Sequence, residues 1–233
     1  MSLKSSKPEY RVHLPLSKKR VAFTAFTMRT ERTLMLASQT NDTAEITAAV
    51  VNCINDHIRT DGIKAEDLPQ AEAELLLLNM RAKSVGETVD IVITDPQDQK
   101  TYDAKFNLTD ITVTVDEEFT DLIELSDNKM LKMEVPGMTA LGNIAEGDND
   151  FDTTIKFLVA CVSQIIDGEE CINRQDISDE DITDFILDLD SGDFGKINDQ
   201  FFNRIPKLST IVKVKRADGT ILEVPVEGIA SFL

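Results

Sequence analysis

The stretch that decides the fold of this chain runs from Asp67 to Glu87 and reads DLPQAEAELLLLNMRAKSVGE. It predicts one helix with its start and end signals in place, because Asp67 and Pro69 suit the first turn and Gly86 suits the C-terminal cap. Four consecutive leucines, Leu75–Leu78, cannot share one stripe of a helix. The sequence therefore predicts a helix that is covered on more than one side, either in the core or in an interface.

Length and composition indicate a globular protein with one large domain or two small ones. The chain has 233 residues, of which 42% are hydrophobic and 28% are charged, as in ordinary folded proteins. No apolar run approaches the roughly 18 residues that cross a bilayer, and the N-terminus lacks the apolar block of a signal peptide. We therefore expect no membrane partner and a protein that stays in the cytoplasm where it is made.

The spacing of apolar residues after Gly86 predicts the remaining elements. Five short segments between residues 89 and 135 alternate with a period of two, and their connections are too short for crossover helices, which predicts an antiparallel meander. Apolar residues from Ile155 to Ile166 recur at helical spacing, and Gly168 would end that helix. Alternating segments around Asp218-Gly219 predict a C-terminal hairpin. The predicted fold class is α+β: helical layers with an antiparallel β meander and a C-terminal β-hairpin.

Composition shifts predict three segments along the chain. Residues 1–28 form a basic N-terminal arm or strand pair, 29–135 hold helices plus antiparallel strands, and 136–233 hold an acidic helical section plus the hairpin. The small and polar residues at 142–150 indicate a hinge or a mobile loop between elements.

Charge is divided unevenly between the ends of the chain. Residues 1–37 carry eight Lys or Arg against two Glu, whereas residues 146–199 carry sixteen Asp or Glu against three Lys or Arg. The net charge of −18 opposes nucleic acid and anionic membranes and favours basic partners. Two interpretations remain open for the acidic half: a docking surface or a solvated, solubilising surface.

The sequence contains no recognisable catalytic or cofactor-binding constellation. A serine or cysteine nucleophile needs an imidazole base, and the only histidines are His13 and His57, both expected at the surface or in an interface. Neither a P-loop nor a Gly-x-Gly-x-x-Gly turn is present, so nucleotides lack their usual phosphate cradle. We predict no catalytic residue and no cofactor.

Metal sites and disulfides are also not predicted. Asp148–Asp152 begins like an EF-hand loop but lacks its glycine and its final glutamate, and Asp188–Asp193 is read as an acidic helix end and turn. The three cysteines, Cys53, Cys161 and Cys171, are too few for a disulfide framework, and the first two lie on apolar helix faces.

Four motifs together resemble a known family. They are the leucine-rich helix that runs into Met80–Glu87, an early Leu14-Pro15 beside a strand, a helix start at Thr30–Leu36, and a closing Phe201–Leu208 before the terminal hairpin. This pattern resembles the baseplate hub and hub-assembly proteins of T-even-type contractile-tailed bacteriophages and spans most of the chain.

The resemblance implies a non-enzymatic phage tail protein that is needed to build the baseplate, either as a hub subunit or as a hub-assembly chaperone. It implies that the partners are other hub or tail proteins, and a homo-oligomer is compatible with it. It also implies that the protein is in the host cytoplasm during assembly and, if it is a subunit, in the virion. Two alternatives from other classes are a divalent-metal-dependent hydrolase using the acidic second half and a nucleic-acid adaptor using the basic arm.

One family feature is missing here. Many members of that family carry Cys-x-x-Cys pairs after the Ser-x-Gly motif and inside the last hairpin. The corresponding places, 94–98 and 213–219, contain no cysteine. We therefore predict no structural zinc.

The predicted partner surface combines a charged cluster for steering with apolar anchors. Its residues are Lys18, Lys19, Arg20, Phe201, Phe202 and Arg204.

Overall fold

The computed structural model describes residues 7–40, 42–95, 99–138, 140, 150–216 and 218–227. Residues 142–149 of the loop predicted at 142–150, and residues 148 and 149 of the Asp148–Asp152 motif, lie outside these ranges. The helices in the described ranges are α1 (Met28–Ser38), α2 (Thr43–His57), α3 (Gln70–Val85), α4 (Asp150–Cys161), α5 (Asp179–Leu187) and α6 (Ser191–Gln200). The strands are β1 (Glu9–Leu14), β2 (Lys19–Thr24), β3 (Thr88–Thr94), β4 (Thr101–Asn107), β5 (Thr112–Thr114), β6 (Leu122–Glu124), β7 (Lys129–Met133), β8 (Val162–Asp167), β9 (Glu170–Asn173), β10 (Lys207–Lys215) and β11 (Ile221–Glu227).

The chain forms two compact units. Unit 1 comprises Met1–Thr114 and Lys207–Leu233, and unit 2 comprises Val115–Pro206. Unit 1 is built from two stretches of chain because β10 pairs with β5, with Leu208 opposite Val113. The three-segment division predicted from the sequence stays a prediction.

Helix α3 forms the centre of unit 1. It packs against α2, β1, β5 and β10, and all four leucines Leu75–Leu78 are buried, as the sequence predicted for a helix covered on several sides. Pro69 is the N-cap residue, and Gly86 ends the helix with φ 131° and an N–H that donates to the carbonyl oxygen of Ala82. Asp67, predicted at the helix start, lies instead in a preceding 3₁₀ turn.

Every described sheet is antiparallel, and the α+β class with its terminal hairpin is confirmed. The strand orders are β1-β2, β3-β4, β11-β10-β5 and β6-β7-β8-β9. The five strands predicted as one meander all form, but they belong to three different sheets. The strand pair predicted as one form of the N-terminal segment is present as β1-β2.

Unit 2 packs α4, α5 and α6 around the four-stranded sheet. Its core contains Ile123, Leu131, Leu158, Ile186 and Phe201. The helix predicted from Ile155 to Ile166 ends at Cys161, and the next residues form β8, which pairs with β7 and β9. Gly168, with φ 62°, therefore forms a hairpin turn rather than a helix end.

Candidate interaction surface

The predicted basic residues lie at the turn between β1 and β2. Lys18, Lys19 and Arg20 are all exposed, and Lys18 adopts a positive φ of 55° in the turn. The two strands pair from Glu9 opposite Thr24 to Leu14 opposite Lys19. The cluster therefore stands on a hydrogen-bonded hairpin.

Apolar side chains and one carboxylate hold this hairpin against α3. Leu14 and Phe23 are buried beneath it. The Glu72 side chain, fully buried on the first turn of α3, accepts hydrogen bonds from the backbone N–H groups of Leu16 at 2.6 Å and Ser17 at 2.9 Å. A single buried carboxylate oxygen thus fixes the loop that presents the basic residues.

The cations of this region are not paired within the described chain. Alternation along β1 and β2 places Arg11, His13 and Arg20 on the outer face of the hairpin, with His13 opposite Arg20. The described part of residues 1–37 contains seven cations: Lys7, Arg11, Lys18, Lys19, Arg20, Arg29 and Arg32. None of them forms an ion pair with a described residue, although the protein has 42 Asp and Glu. Their charge is left available for another molecule.

The two units differ strongly in net charge. Unit 2 contains twenty-three Asp or Glu and six Lys or Arg, a net charge of −17, which leaves −1 for unit 1. Nearly all of the excess negative charge therefore belongs to unit 2, and the unpaired cations belong to the nearly neutral unit 1.

The other three predicted partner residues have structural roles in unit 2. Phe201 is fully buried, with its ring centroid 5.5 Å from that of Phe119, so its side chain cannot reach a partner from this position. Phe202 is half-buried and packs edge-on against Phe157 at 5.4 Å. These aromatic rings belong to the core of unit 2.

Arg204 is engaged within its own unit. It donates to Asp116 at 2.7 Å and pairs with Glu118 at 2.5 Å. The hydrogen bond to Asp116 raises the pKa of the Arg204 guanidinium. The structure thus brings Lys18, Lys19 and Arg20 together in unit 1, and it places Phe201, Phe202 and Arg204 in unit 2.

The prediction of His57 as a surface or interface residue is wrong. It is buried, with Nδ1 3.1 Å from Oγ1 of Thr24 and Nε2 2.8 Å from Oγ1 of Thr30. Burial, together with the positive charges of Lys7 and Arg59, lowers the pKa of the imidazole. The neutral ring therefore links α2 to β2 through Thr24 and to α1 through Thr30. The spacing of apolar residues in α2 did not predict this buried position.

Two of the three cysteines, Cys53 and Cys161, are structural residues. All three are free, and Cys53 and Cys161 are buried, as predicted. Burial, with a smaller effect from Asp56, raises the pKa of the Cys53 thiol to about 11, and burial also raises the pKa of Cys161. Since the thiolate is the reactive form, these two side chains act as small apolar residues.

The two places that lack the cysteine pairs meet in unit 1 through an ion pair. Arg216 Nε donates to Asp95 Oδ2 at 2.5 Å, and Asp95 is buried. The described residues contain no group of three or more His, Cys, Asp or Glu arranged to hold a metal ion. The ion pair between Asp95 and Arg216 thus links β3-β4 to β10-β11 beside the apolar cluster that these strands share.

We predict that the purified protein contains no stoichiometric zinc. Elemental analysis checks this directly, and a chelator should leave the melting temperature unchanged, because a structural zinc would contribute folding energy. A zinc ion that is lost together with structure would contradict the prediction.

Comparison with known proteins gives one result. Residues 7–233 match the model of the family described as T4 bacteriophage base plate protein. No curated protein and no solved structure gives a significant match. In the part of the chain that the structure describes, no helix has the length and apolar character needed to cross a bilayer.

Proposed function

Because this chain belongs to the T4 bacteriophage base plate protein family, we propose that it acts without catalysis in building the baseplate hub, as a hub subunit or as a hub-assembly chaperone. Family membership makes it a phage baseplate protein. The finer role is supported by one observation: a fixed hairpin presents Lys18, Lys19 and Arg20 with no ion pair among the described residues.

Such a surface suits recognition of an acidic protein partner. Exposed charges accelerate encounter and are screened by salt over roughly 8–10 Å. The hairpin is ordered by Glu72 before any partner arrives, so its binding involves little ordering of the backbone. A preformed cationic turn fits an assembly in which subunits must find one another quickly and in one orientation.

Mass spectrometry of purified phage particles, beside a pull-down from infected cells, distinguishes the two roles. A subunit is present in the particles, and a chaperone is present only in the pull-down with its hub clients. In both cases the host cytoplasm is the place of assembly. Absence from the particles and from every baseplate complex would overturn the proposal.

Reversing Lys18, Lys19 and Arg20 to Glu is expected to leave folding intact and to slow association with the hub partner identified in the pull-down. We expect a loss of about tenfold or more in association rate at low salt, and much less at high salt, because steering acts mainly on encounter. Stopped-flow measurements at both salt concentrations check this. An unchanged association rate would exclude the hairpin as a steering element.

The unpaired cations also bear on the nucleic-acid alternative. Phosphates would be attracted to the same hairpin face, although the net charge of −18 opposes their approach. Binding to double-stranded DNA, measured over a range of salt concentrations, separates the two partners. Affinity for DNA that exceeds affinity for the hub partner at physiological salt would favour the adaptor.

Nothing in the described residues supports the metal-dependent hydrolase. Specific binding of magnesium, manganese or calcium to the folded state would raise thermal stability. A melting curve with each ion tests this cheaply.

A further inference from the structure

Helix α1 carries an exposed apolar face that nothing in the described chain covers. Met28, Met35 and Leu36 are 79%, 63% and 53% exposed. They share one side of the helix with Arg32, since positions i, i+4, i+7 and i+8 lie on one face, and Arg29 borders it. The opposite side, with the buried Thr30, faces the rest of unit 1.

This face combines two properties that suit docking. Methionine side chains adapt their shape to a partner surface, and the two arginines are exposed and form no ion pair with the described residues. An ordinary solvated helix would expose polar residues here. The face is therefore apolar in its middle and cationic at its border, and its complement is an apolar groove with an acidic rim.

Unit 2 contains a groove that combines apolar and acidic side chains. Its volume is about 310 Å³, and its walls include the apolar side chains of Leu125, Phe185 and Leu189. Asp127 and Asp188 stand exposed at its rim. The lining also contains Ser126, Lys129, Asp190 and Asp193. The groove is therefore mostly polar and carries net negative charge, and its three apolar side chains are the part that an apolar face can contact.

The other two aspartates of the groove, Asp190 and Asp193, are already engaged. Asp190 caps α6 by accepting from the N–H groups of Gly192 and Asp193 at 2.8 Å. Asp193, which is buried, accepts from the Ser126 N–H at 2.8 Å and from Lys196 at 2.7 Å. The rim carboxylates are thus the ones left for an incoming cation.

We propose that the α1 face of one copy of this chain docks into the unit 2 groove of a second copy. The charges of the two units select this pairing, because unit 2 at −17 repels another unit 2, whereas the nearly neutral unit 1 brings Arg29 and Arg32 to the acidic rim. A helix laid in an apolar groove is a recurrent recognition mode. This contact is independent of the partner that the basic hairpin binds.

The geometry has a consequence for assembly. The contact joins two different surfaces, so a pair still has one free groove on the copy whose helix is docked and one free helix face on its partner. Copies therefore add head to tail until a ring closes or a chain extends. One helix face buries less than the roughly 800 Å² per partner of a standard interface. A single contact is therefore weak, and association should depend on concentration.

Sedimentation velocity of the full-length protein across a wide concentration range tests the proposal. We expect association that weakens as salt rises. Arg29→Glu with Arg32→Glu should weaken it about tenfold or more, because like charges then oppose each other across the contact. Asp188→Lys with Asp127→Asn should weaken it similarly; asparagine is chosen at Asp127 because it tolerates that residue's φ of 56°.

Mixing the two variants provides the decisive measurement. Each is impaired alone, but the intact helix of the groove variant can enter the intact groove of the helix variant, so the mixture should associate again. Lys19→Glu with Arg20→Glu changes the net charge by the same amount as the helix variant and should leave self-association within about twofold of wild type. Circular dichroism confirms that all variants fold.

Four outcomes would overturn the inference. The first three are a wild type that stays monomeric at every concentration, association that neither variant weakens, and equal weakening by the hairpin control. A mixture that fails to recover, with both variants folded, would also reject a contact between these two surfaces.

Discussion

Replacing Leu77 or Leu78 with alanine is expected to lower the free energy of unfolding of unit 1 by about 2–5 kcal/mol, the usual cost of truncating a buried leucine. Leu77 is 2% exposed and Leu78 is fully buried. They lie on α3, the helix that contacts α2, β1, β5 and β10. The cavity left at either site cannot collapse easily, because packed elements surround the helix.

Chemical denaturation followed by far-UV circular dichroism measures the loss. The matched control is Leu36→Ala on α1, where the side chain is 53% exposed and the cost should stay within about 0.5 kcal/mol. Because two units can unfold separately, the transition of unit 1 must be identified before a single free energy is quoted. If Leu77→Ala and Leu78→Ala unfold like wild type, α3 is not part of the core.

The leucine helix was predictable because its signals are local. The run Leu75–Leu78 requires cover on several sides, and Gly86 supplies a backbone conformation that other residues rarely adopt. Both features are properties of consecutive residues and do not depend on contacts with distant parts of the chain. The terminal hairpin was predictable for the same reason, since Asp218-Gly219 favours a tight turn between alternating strands.

The boundary between α4 and β8 was not predictable from local spacing. Val162, Ile165 and Ile166 fit a helical period with Leu158, yet they are β-branched residues that also suit a strand. Gly168 can end a helix or form a hairpin turn. The choice is made by pairing with β7 and β9, which the sequence of the segment does not contain.

Sheet membership escaped prediction for a similar reason. β5 has only three residues and pairs with β10, with Thr114 opposite Lys207, across almost one hundred residues of chain. Short connections favoured pairing of neighbours in sequence. Non-local pairing instead distributed the predicted meander among three sheets.

For half of the predicted partner residues, the exposed position could be predicted from the sequence. Lys18, Lys19 and Arg20 lie in a turn flanked by alternating residues, and such a turn is exposed in almost any fold. Phe201 was assigned as an anchor from its residue type alone, whereas burial depends on what packs above it, here Phe119. The role of Glu72 was also hidden, because an acidic residue in the first turn of a helix ordinarily serves the helix dipole.

Replacing Glu72 with alanine is expected to destabilise unit 1 by about 2–4 kcal/mol, because the backbone N–H groups of Leu16 and Ser17 lose their acceptor and each unsatisfied buried donor costs about 1–3 kcal/mol. Both N–H groups donate to the same oxygen, Oε1. The second oxygen, Oε2, and the Ser17 hydroxyl are buried without a hydrogen-bond partner among the described residues. The stabilisation therefore depends on one acceptor oxygen.

Glu72→Gln is the matched variant that separates the acceptor from the charge. Glutamine keeps an acceptor oxygen for the two N–H groups and replaces the unpartnered oxygen with an NH₂ donor, so its loss should stay below about 1 kcal/mol. Denaturation gives the free energies, and amide hydrogen exchange at Leu16 and Ser17 reports the two hydrogen bonds to Glu72 themselves. Protection should fall sharply in the alanine variant and persist in the glutamine variant.

Since these amides precede Lys18, the alanine variant should also lose salt-dependent association with the hub partner while α3 stays folded. Unchanged protection in Glu72→Ala would show that packing of Leu14 and Phe23 alone holds the turn, and that the carboxylate has no part in presenting the basic residues.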